Sequence, residues 1–332
     1  CTGDILLELD HDDLLLPGAV EKVIQAFESD NSIGFVYSNA IHSDHDGRPA
    51  THYDEVYGWK YRSSVFPGLD EYVYFEPHPA NVARIYFAPN HLRAFRRDVY
   101  EKVGGYDKSL KILDDEDIMC RLFLETKFYH LDEPLYIYRE TGENSWLRFN
   151  KEIQDNVYQM YFKYIVSMAC KWAKDCGLLV VDLGGRFERI PGFVSVDVKD
   201  ADICADLNGV WPFEDGSVGV VRAFDIFEHL KDPLHTMKEL YRVLCPGGMA
   251  FIRVPSTDGR GAFQDPTHCS FWNSNSFLYY TDARFSRYID TPVRFQEIVK
   301  FTTPKNELEI CWVEVHLVKL PSDVRVGGII SI

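Results

Sequence analysis

Short apolar runs and amphipathic stretches alternate along this chain, and the pattern changes character near the middle. Residues 4–9 (DILLEL) read as a buried strand, and Leu16-Pro17-Gly18 opens a helix to about Phe27, with proline near its first turn. A second strand spans 32–39 (SIGFVYSN). Residues 43–80 are rich in Asp, Gly, Pro and Tyr, which predicts a long ordered loop over a site. Helices follow over 97–103, stopped by Gly104-Gly105, and over 115–125, then an extended segment over 128–139. Ile153, Val157, Met160, Tyr161, Tyr164 and Met168 keep helical spacing, which predicts a connecting helix over 150–174 that Gly177 ends. Beyond it, strands at 178–183, 193–197, 219–224 and 248–254 alternate with helical stretches such as 232–244, as in a parallel sheet with crossover helices. The reading is α/β throughout, with a first domain over 1–146, a connector over 147–176 and a second domain over 177–332.

Composition narrows the functions. A chain of 332 residues can bury two cores. The formal charge of −16 argues against a nucleic-acid partner, because an acidic surface repels phosphate backbones. No run of about 18 apolar residues predicts a membrane span. Eight scattered cysteines without CxxC spacing predict neither structural zinc nor a disulfide framework, and a cytoplasmic, reducing setting is expected. The chain opens on Cys1-Thr2-Gly3-Asp4, directly before a strand, which reads as a cut inside a larger protein. Nothing in the pattern sets an oligomeric state.

The first constellation is Asp10-His11-Asp12-Asp13, directly after the opening strand. Carboxylates at a strand end lie where open α/β sheets bind ligands. Oxygen ligands spaced i, i+2 suit a hard cation such as Mg²⁺ or Mn²⁺. Taken alone, so short a cluster reads more readily as a solvated, helix-capping turn. Three further segments follow in order: Gly104-Gly105-Tyr106-Asp107; Asp115-Glu116-Asp117-Ile118-Met119-Cys120-Arg121-Leu122; and Pro134-Leu135-Tyr136-Ile137-Tyr138-Arg139 with Asn144-Ser145. With residues 9–27, this arrangement resembles family 2 glycosyltransferases of the GT-A fold over residues 1 to about 146. The resemblance implies that Asp10 and Asp12 hold the metal and a nucleotide-sugar diphosphate, and that Asp117 is the base deprotonating a glycan acceptor. It implies that Glu116 positions substrate and that His91 and Arg93 contact it. Almost nothing precedes the acid cluster, where the family carries its base-gripping portion. Donor binding by this chain is therefore expected to be weak.

The second constellation begins at Val180-Val181-Asp182-Leu183-Gly184-Gly185, a strand running into glycines that let backbone approach a ligand. Val194-Ser195-Val196-Asp197 is a second strand ending in an acid, the place where ribose hydroxyls are held in nucleotide sites. Ala205-Asp206-Leu207, Trp211-Pro212-Phe213, Phe227-Glu228-His229-Leu230 and Tyr241-Arg242-Val243-Leu244-Cys245-Pro246-Gly247-Gly248 follow. The order resembles class I S-adenosylmethionine methyltransferases, over residues 177–320. NAD binding lacks support, since no GxGxxG is present. The resemblance implies that Gly184 and Gly185 line the methionine end, Asp182 orients that loop, Asp197 holds ribose, and Asp206 and Leu207 meet adenine. The loop departs from the family's GxG in reading Gly185-Arg186-Phe187.

Methyl transfer to a hydroxyl needs proximity and a base. His229, after the fourth strand, and His268, in Gln264-Asp265-Pro266-Thr267-His268, are the candidates. Asp265 and Trp272 join His268 in a lid-like acceptor segment. The combined expectation is a fragment of a bifunctional enzyme of polysaccharide synthesis, which transfers sugar and methylates a sugar hydroxyl. Two other readings fit the same residues: a methyltransferase of an unrelated small molecule whose front domain only binds, and a non-catalytic scaffold.

Overall fold

A computed structural model describes residues 2–50, 52–53, 58–84, 91–141, 144 and 148–320. The chain divides into two compact units, Cys1–Met168 and Ala169–Ile332. The division falls within the helix Asn150–Asp175, the connecting helix read from the sequence.

The first unit is built on the long strand β3 (Ile33–Asp44), eleven of whose twelve residues are buried. Neighbours pair with it along both edges, and polar residues such as Ser38, Asn39 and His42 are buried with its apolar ones. β7 (Lys127–Glu140) pairs with it in parallel along one edge. β6 (Arg93–Arg96) and β5 (Asp70–Val73) pair antiparallel along the other. β1 (Ile5–Glu8) lies outside β6, β4 (Lys60–Ser63) outside β5, and the short β2 (Leu14–Leu15) against β7. β4 and β5 form an antiparallel hairpin inside the segment read as loop over 43–80. Its strands are only four residues long and largely polar, so the alternation was too brief to register. The first helix begins at Ala19, behind Gly18 with φ 83°, and runs to Ser29. The helix Asp114–Glu125 carries four acids in its first turn, where they complement the exposed amides and helix dipole.

The second unit holds one seven-stranded sheet in the order β10-β9-β8-β11-β12-β14-β13. These strands are β8 (Leu179–Leu183), β9 (Val194–Asp197), β10 (Ile203–Cys204), β11 (Val218–Phe224), β12 (Leu244–Pro255), β13 (Phe295–Thr302) and β14 (Trp312–Lys319). The pairs from β10 to β12 are parallel. The β12–β14 and β13–β14 pairs are antiparallel. The sheet is thus mostly parallel and Rossmann-like, with β8 at the point where strand order reverses. The helix Pro233–Val243 starts with proline in its first turn, and Asp232 accepts from the amides of Leu234 and His235. It buries Met237, Leu240 and Val243 against a core that includes Trp211, Phe227, Trp272 and Phe277. Among the described residues, no helix is long and apolar enough to cross a membrane.

Candidate functional sites

In the first unit, the acid cluster lies at the end of β1 beside β6. Glu8, Asp10 and His91 each offer a ligand atom, all within 4.8 Å of one another. His91 Nε2 stands 3.4 Å from Asp10 Oδ2, and His91 Nδ1 is buried with no hydrogen-bond partner among the described residues. Burial, then the nearby Arg93, push the imidazole well below its usual pKa, so it is neutral and carries a free lone pair. Arg93 is itself buried, 3.2 Å from Asp115 Oδ2 and 3.9 Å from Glu8 Oε2. The Tyr106 hydroxyl donates to Glu8 at 2.9 Å, and the Asp10 amide donates to the Tyr136 hydroxyl at 3.1 Å. Asp12 stands apart from the three-residue group: its carboxylate faces His11 at 3.6 Å, and its main-chain carbonyl accepts from Arg139. Asp13 is buried, accepts from the Arg139 amide at 2.8 Å, and is raised in pKa chiefly by burial.

The acids of the helix Asp114–Glu125 divide by face. Residues two apart on a helix point in nearly opposite directions. Asp115 therefore turns toward Arg93 and the Glu8–Asp10–His91 group, whereas Asp117, read from sequence as the base, turns away. Asp117 accepts from Tyr164 (2.6 Å), Lys163 (3.0 Å) and Arg121 (2.7 Å). Those donors outweigh burial and lower its pKa, which makes it a poor proton acceptor. Arg121 in turn donates to the carbonyls of Val103 and Gly105 and so pins the Gly104-Gly105 turn that delivers Tyr106 to Glu8. Glu116 is fully buried, and neither carboxylate oxygen has a partner among the described residues. Burial, reinforced by Asp115, raises it to about 9. Glu8 and Asp115 were missed in the sequence. The i, i+2 spacing of Glu8 to Asp10 at the end of the strand was the signal for the first. Ser145 lies outside the described residues.

In the second unit, the predicted cofactor residues line up along the C-terminal edge of β8, β9 and β10. Gly184 adopts φ 81°, and its amide donates to the Val196 carbonyl at 2.8 Å, one residue before Asp197. The Ala205 amide donates to the Asp197 carbonyl at 2.9 Å, so Asp206 follows directly. A Cβ on Gly185 would lie 2.6 Å from Asp182 Oδ2 and 3.0 Å from Ser195 Cβ. Asp182 is buried and receives Arg222 Nη1 at 2.7 Å; burial raises its pKa, with Arg222 opposing. Asp197 keeps its carboxylate on the adjoining Val198 amide, at 2.7 Å. Asp206 is exposed and held low by the amide and side chain of Asn208. Leu207, read from sequence as an adenine contact, is buried in the core, whereas Asp206 beside it is exposed.

The acceptor candidates meet at the end of β11. The His229 and His268 rings lie 4.9 Å apart, edge to face. His268 Nε2 is 3.9 Å from Oε1 of Glu228, a residue absent from the sequence-based candidates. Glu228 is 2% exposed, and burial raises it to about 8. The segment is aimed at the glycine loop, because a Cβ on Gly184 would touch Ile226 at 3.0 Å. Asp265 is exposed and shapes the loop by accepting from the amide (2.8 Å) and hydroxyl (2.6 Å) of Thr267. Trp272 corrects the sequence reading. It is 2% exposed, donates from Nε1 to Ser270 Oγ at 3.0 Å, and packs in the core. The exposed aromatics here are Phe263 and Phe271, stacked at 5.2 Å.

Comparison with known proteins divides the chain the same way. Residues 1–104 match the family described as glycosyl transferase family 2, and residues 189–252 match the family described as methyltransferase domain. A relative from Haemophilus influenzae, described as an uncharacterized glycosyltransferase, is 30% identical over 139 residues, which is 40% of this chain and 41% of the relative. The chain thus spans about two fifths of that relative's length. Among solved structures, a putative methyltransferase in complex with the Haloferax volcanii Trm112 activator is 17% identical, over 46% of this chain and 94% of that one, with TM-score 0.33. The YcgJ protein of Bacillus subtilis is 12% identical over 46% and 98%, with TM-score 0.32. Along the chain, the glycosyl transferase family 2 match thus precedes the methyltransferase-domain match.

Proposed function

We propose that this chain is part of a bifunctional transferase: a glycosyl transfer site in the first unit, and an S-adenosylmethionine-dependent methyl transfer site in the second, with a sugar hydroxyl as methyl acceptor. One observation carries the reading. The second unit's strand order reverses at β8, and the three segments expected from the sequence to contact cofactor, Gly184-Gly185, Asp197 and Asp206, follow consecutively on neighbouring strand ends. In open α/β sheets, ligands bind outside the carboxyl ends of strands at that reversal. S-adenosylmethionine, when bound, supplies a methyl group on a sulfonium. Gly184 and Gly185 set the loop that would hold its methionine end: the loop packs so closely on Asp182 and Ser195 that a side chain at 185 would strike them. Asp197 and Asp206 are the acceptors for ribose and adenine hydrogens.

In the first unit, Glu8, Asp10 and neutral His91 form a donor set that fits a divalent cation, which would neutralise a departing diphosphate. The geometry favours Asp115 over Asp117 as the acceptor's base. Asp115 lies within reach of this group through Arg93, while Asp117 is saturated with donors. A nucleotide sugar and a glycan acceptor are the substrates proposed for this unit. Glu116 acts on them only through its neighbours, being sealed from solvent.

Titration of the chain with S-adenosylmethionine tests the second unit. Saturable binding that is lost in Asp197→Ala is expected; heat-silent titrations up to millimolar cofactor would sink the methyl-transfer reading.

A further inference from the structure

We propose that Glu228, His229 and His268 bind a divalent first-row transition-metal ion, and that this ion takes the oxygen of the methyl acceptor as a further ligand. The role assigned to the ion rests on the methyl-transfer reading above; the ion site itself does not.

The donors converge. One carboxylate oxygen and one nitrogen from each imidazole lie within 4.8 Å of one another. An ion about 2.1 Å from both His268 Nε2 and Glu228 Oε1, which are 3.9 Å apart, would sit just off the line between them, with bond lengths usual for zinc with nitrogen and oxygen ligands.

The imidazoles are anchored from behind. His268 Nδ1 is 3.0 Å from the Ala262 carbonyl, so it carries the proton and leaves the Nε2 lone pair toward Glu228. His229 Nδ1 is 3.3 Å from the Thr267 carbonyl and 3.1 Å from its hydroxyl. The Thr267 hydroxyl is itself committed to Asp265, which leaves His229 Nδ1 as donor to the carbonyl and Nε2 as the free nitrogen. Imidazoles that ligate metals are held in this way, with the far nitrogen donating to a backbone carbonyl.

The carboxylate is unfinished without a cation. Glu228 is 2% exposed, and its Oε2 has no hydrogen-bond partner among the described residues. A buried carboxylate oxygen without a donor is costly, and an ion between it and the two imidazoles gives all three groups a partner. The Glu228 carbonyl also accepts from the amides of Cys269 (2.8 Å) and Ser270 (3.1 Å). The strand end and the loop bearing His268 are thereby fixed to each other before any ligand arrives. Two imidazoles and one carboxylate select manganese, iron, cobalt, nickel or zinc over magnesium and calcium.

The place gives the ion its use. Ile226, two residues before Glu228, touches the position of a Gly184 side chain, so the cluster adjoins the proposed methyl end. An acceptor hydroxyl bound to the ion loses its proton to water more readily. Its oxygen then bonds to the methyl carbon as the carbon–sulfur bond breaks and the sulfonium becomes a neutral thioether, with one proton released overall.

The test is metal titration of the whole chain after chelator dialysis, with Zn²⁺ by calorimetry and Co²⁺ by its visible ligand-field spectrum. All variants carry His91→Ala, which disables the donor cluster of the first unit. One equivalent should bind, with Co²⁺ bands of nitrogen and oxygen coordination. His229→Ala, His268→Ala and the near-isosteric Glu228→Gln should each weaken binding by at least about tenfold. His45→Ala, an exposed histidine in the first unit, should leave it unchanged. Absence of binding in the parent, or equal affinity in all three ligand variants, overturns the site. Cofactor titration of the same samples separates the two readings. Cofactor binding without metal binding overturns the ion site alone, whereas metal binding by a chain that ignores the cofactor supports the ion site and overturns methyl transfer.

Discussion

Replacing Glu116 by Gln should make the first unit more stable at pH 8 than at pH 5, relative to the native chain. Glu116 is fully buried with both oxygens unpartnered among the described residues, and its pKa in the fold is about 9 against an ordinary 4.5. The folded state therefore holds a proton that the unfolded chain has released. Between pH 4.5 and 9, the folded form binds more protons, so stability falls as pH rises. The slope limit is about 1.4 kcal/mol per pH unit. Between pH 5.5 and 7.5 that sets a ceiling of about 3 kcal/mol. The folded value of about 9 already includes the opposing charge of Arg84, so a difference of about 2–3 kcal/mol is expected over this interval. Glutamine keeps the neutral shape and removes the titration. Hydrogen exchange of peptides from the helix Asp114–Glu125, corrected for intrinsic rates and followed from pH 5.5 to 8.5, reads this unit separately from the other. Native and substituted chains should diverge steadily with pH. Parallel profiles would refute the claim that Glu116 is protonated in the fold.

Three further outcomes follow from the geometry. Gly185→Ala places a methyl 2.6 Å from Asp182 Oδ2 and should weaken S-adenosylmethionine binding by more than about tenfold, about 1.4 kcal/mol, with the circular dichroism spectrum intact; unaltered calorimetric affinity would remove this loop from the cofactor site. Asp115→Asn should lower glycosyl transfer by the whole enzyme by about 100-fold or more, whereas Asp117→Asn should lower the melting temperature first, through loss of the Arg121 clamp; a reversed ranking would restore Asp117 as base. Trp272→Ala should cost about 3–5 kcal/mol in urea unfolding, the cavity cost for a buried aromatic, and an unfolding midpoint equal to native would contradict its place in the core.

Most of the second unit was legible from sequence, because its central strands carry apolar runs such as 178–181 (LLVV) at the start of β8. The antiparallel pair at 295–302 and 312–319 escaped notice, since Gln296, Glu297 and His316 are buried polar residues that interrupt the apolar pattern. Site residues were legible where chain order fixes their place, as at the ends of β8 and β9. They were not where side-chain direction decides. Asp115 and Asp117 are both acids in one helical turn, and only the neighbouring β6 and the Tyr164 hydroxyl distinguish them. Trp272 and Phe271 are adjacent aromatics of which one faces the core. Glu228 looked like part of a motif, and its burial without partners depends on a loop forty residues further on.

The tie between the Glu228 carbonyl and the amides of Cys269 and Ser270 uses main-chain atoms alone. Main-chain bonds survive side-chain replacement. The loop over 263–272 can therefore exchange exposed residues such as Phe263 and Phe271 while His268 stays in place. Residue identity at the loop's surface and the placing of His268 are thus separable in this unit, which makes those two aromatics the positions where natural drift, or a designed library, can vary what meets the loop without moving the histidine.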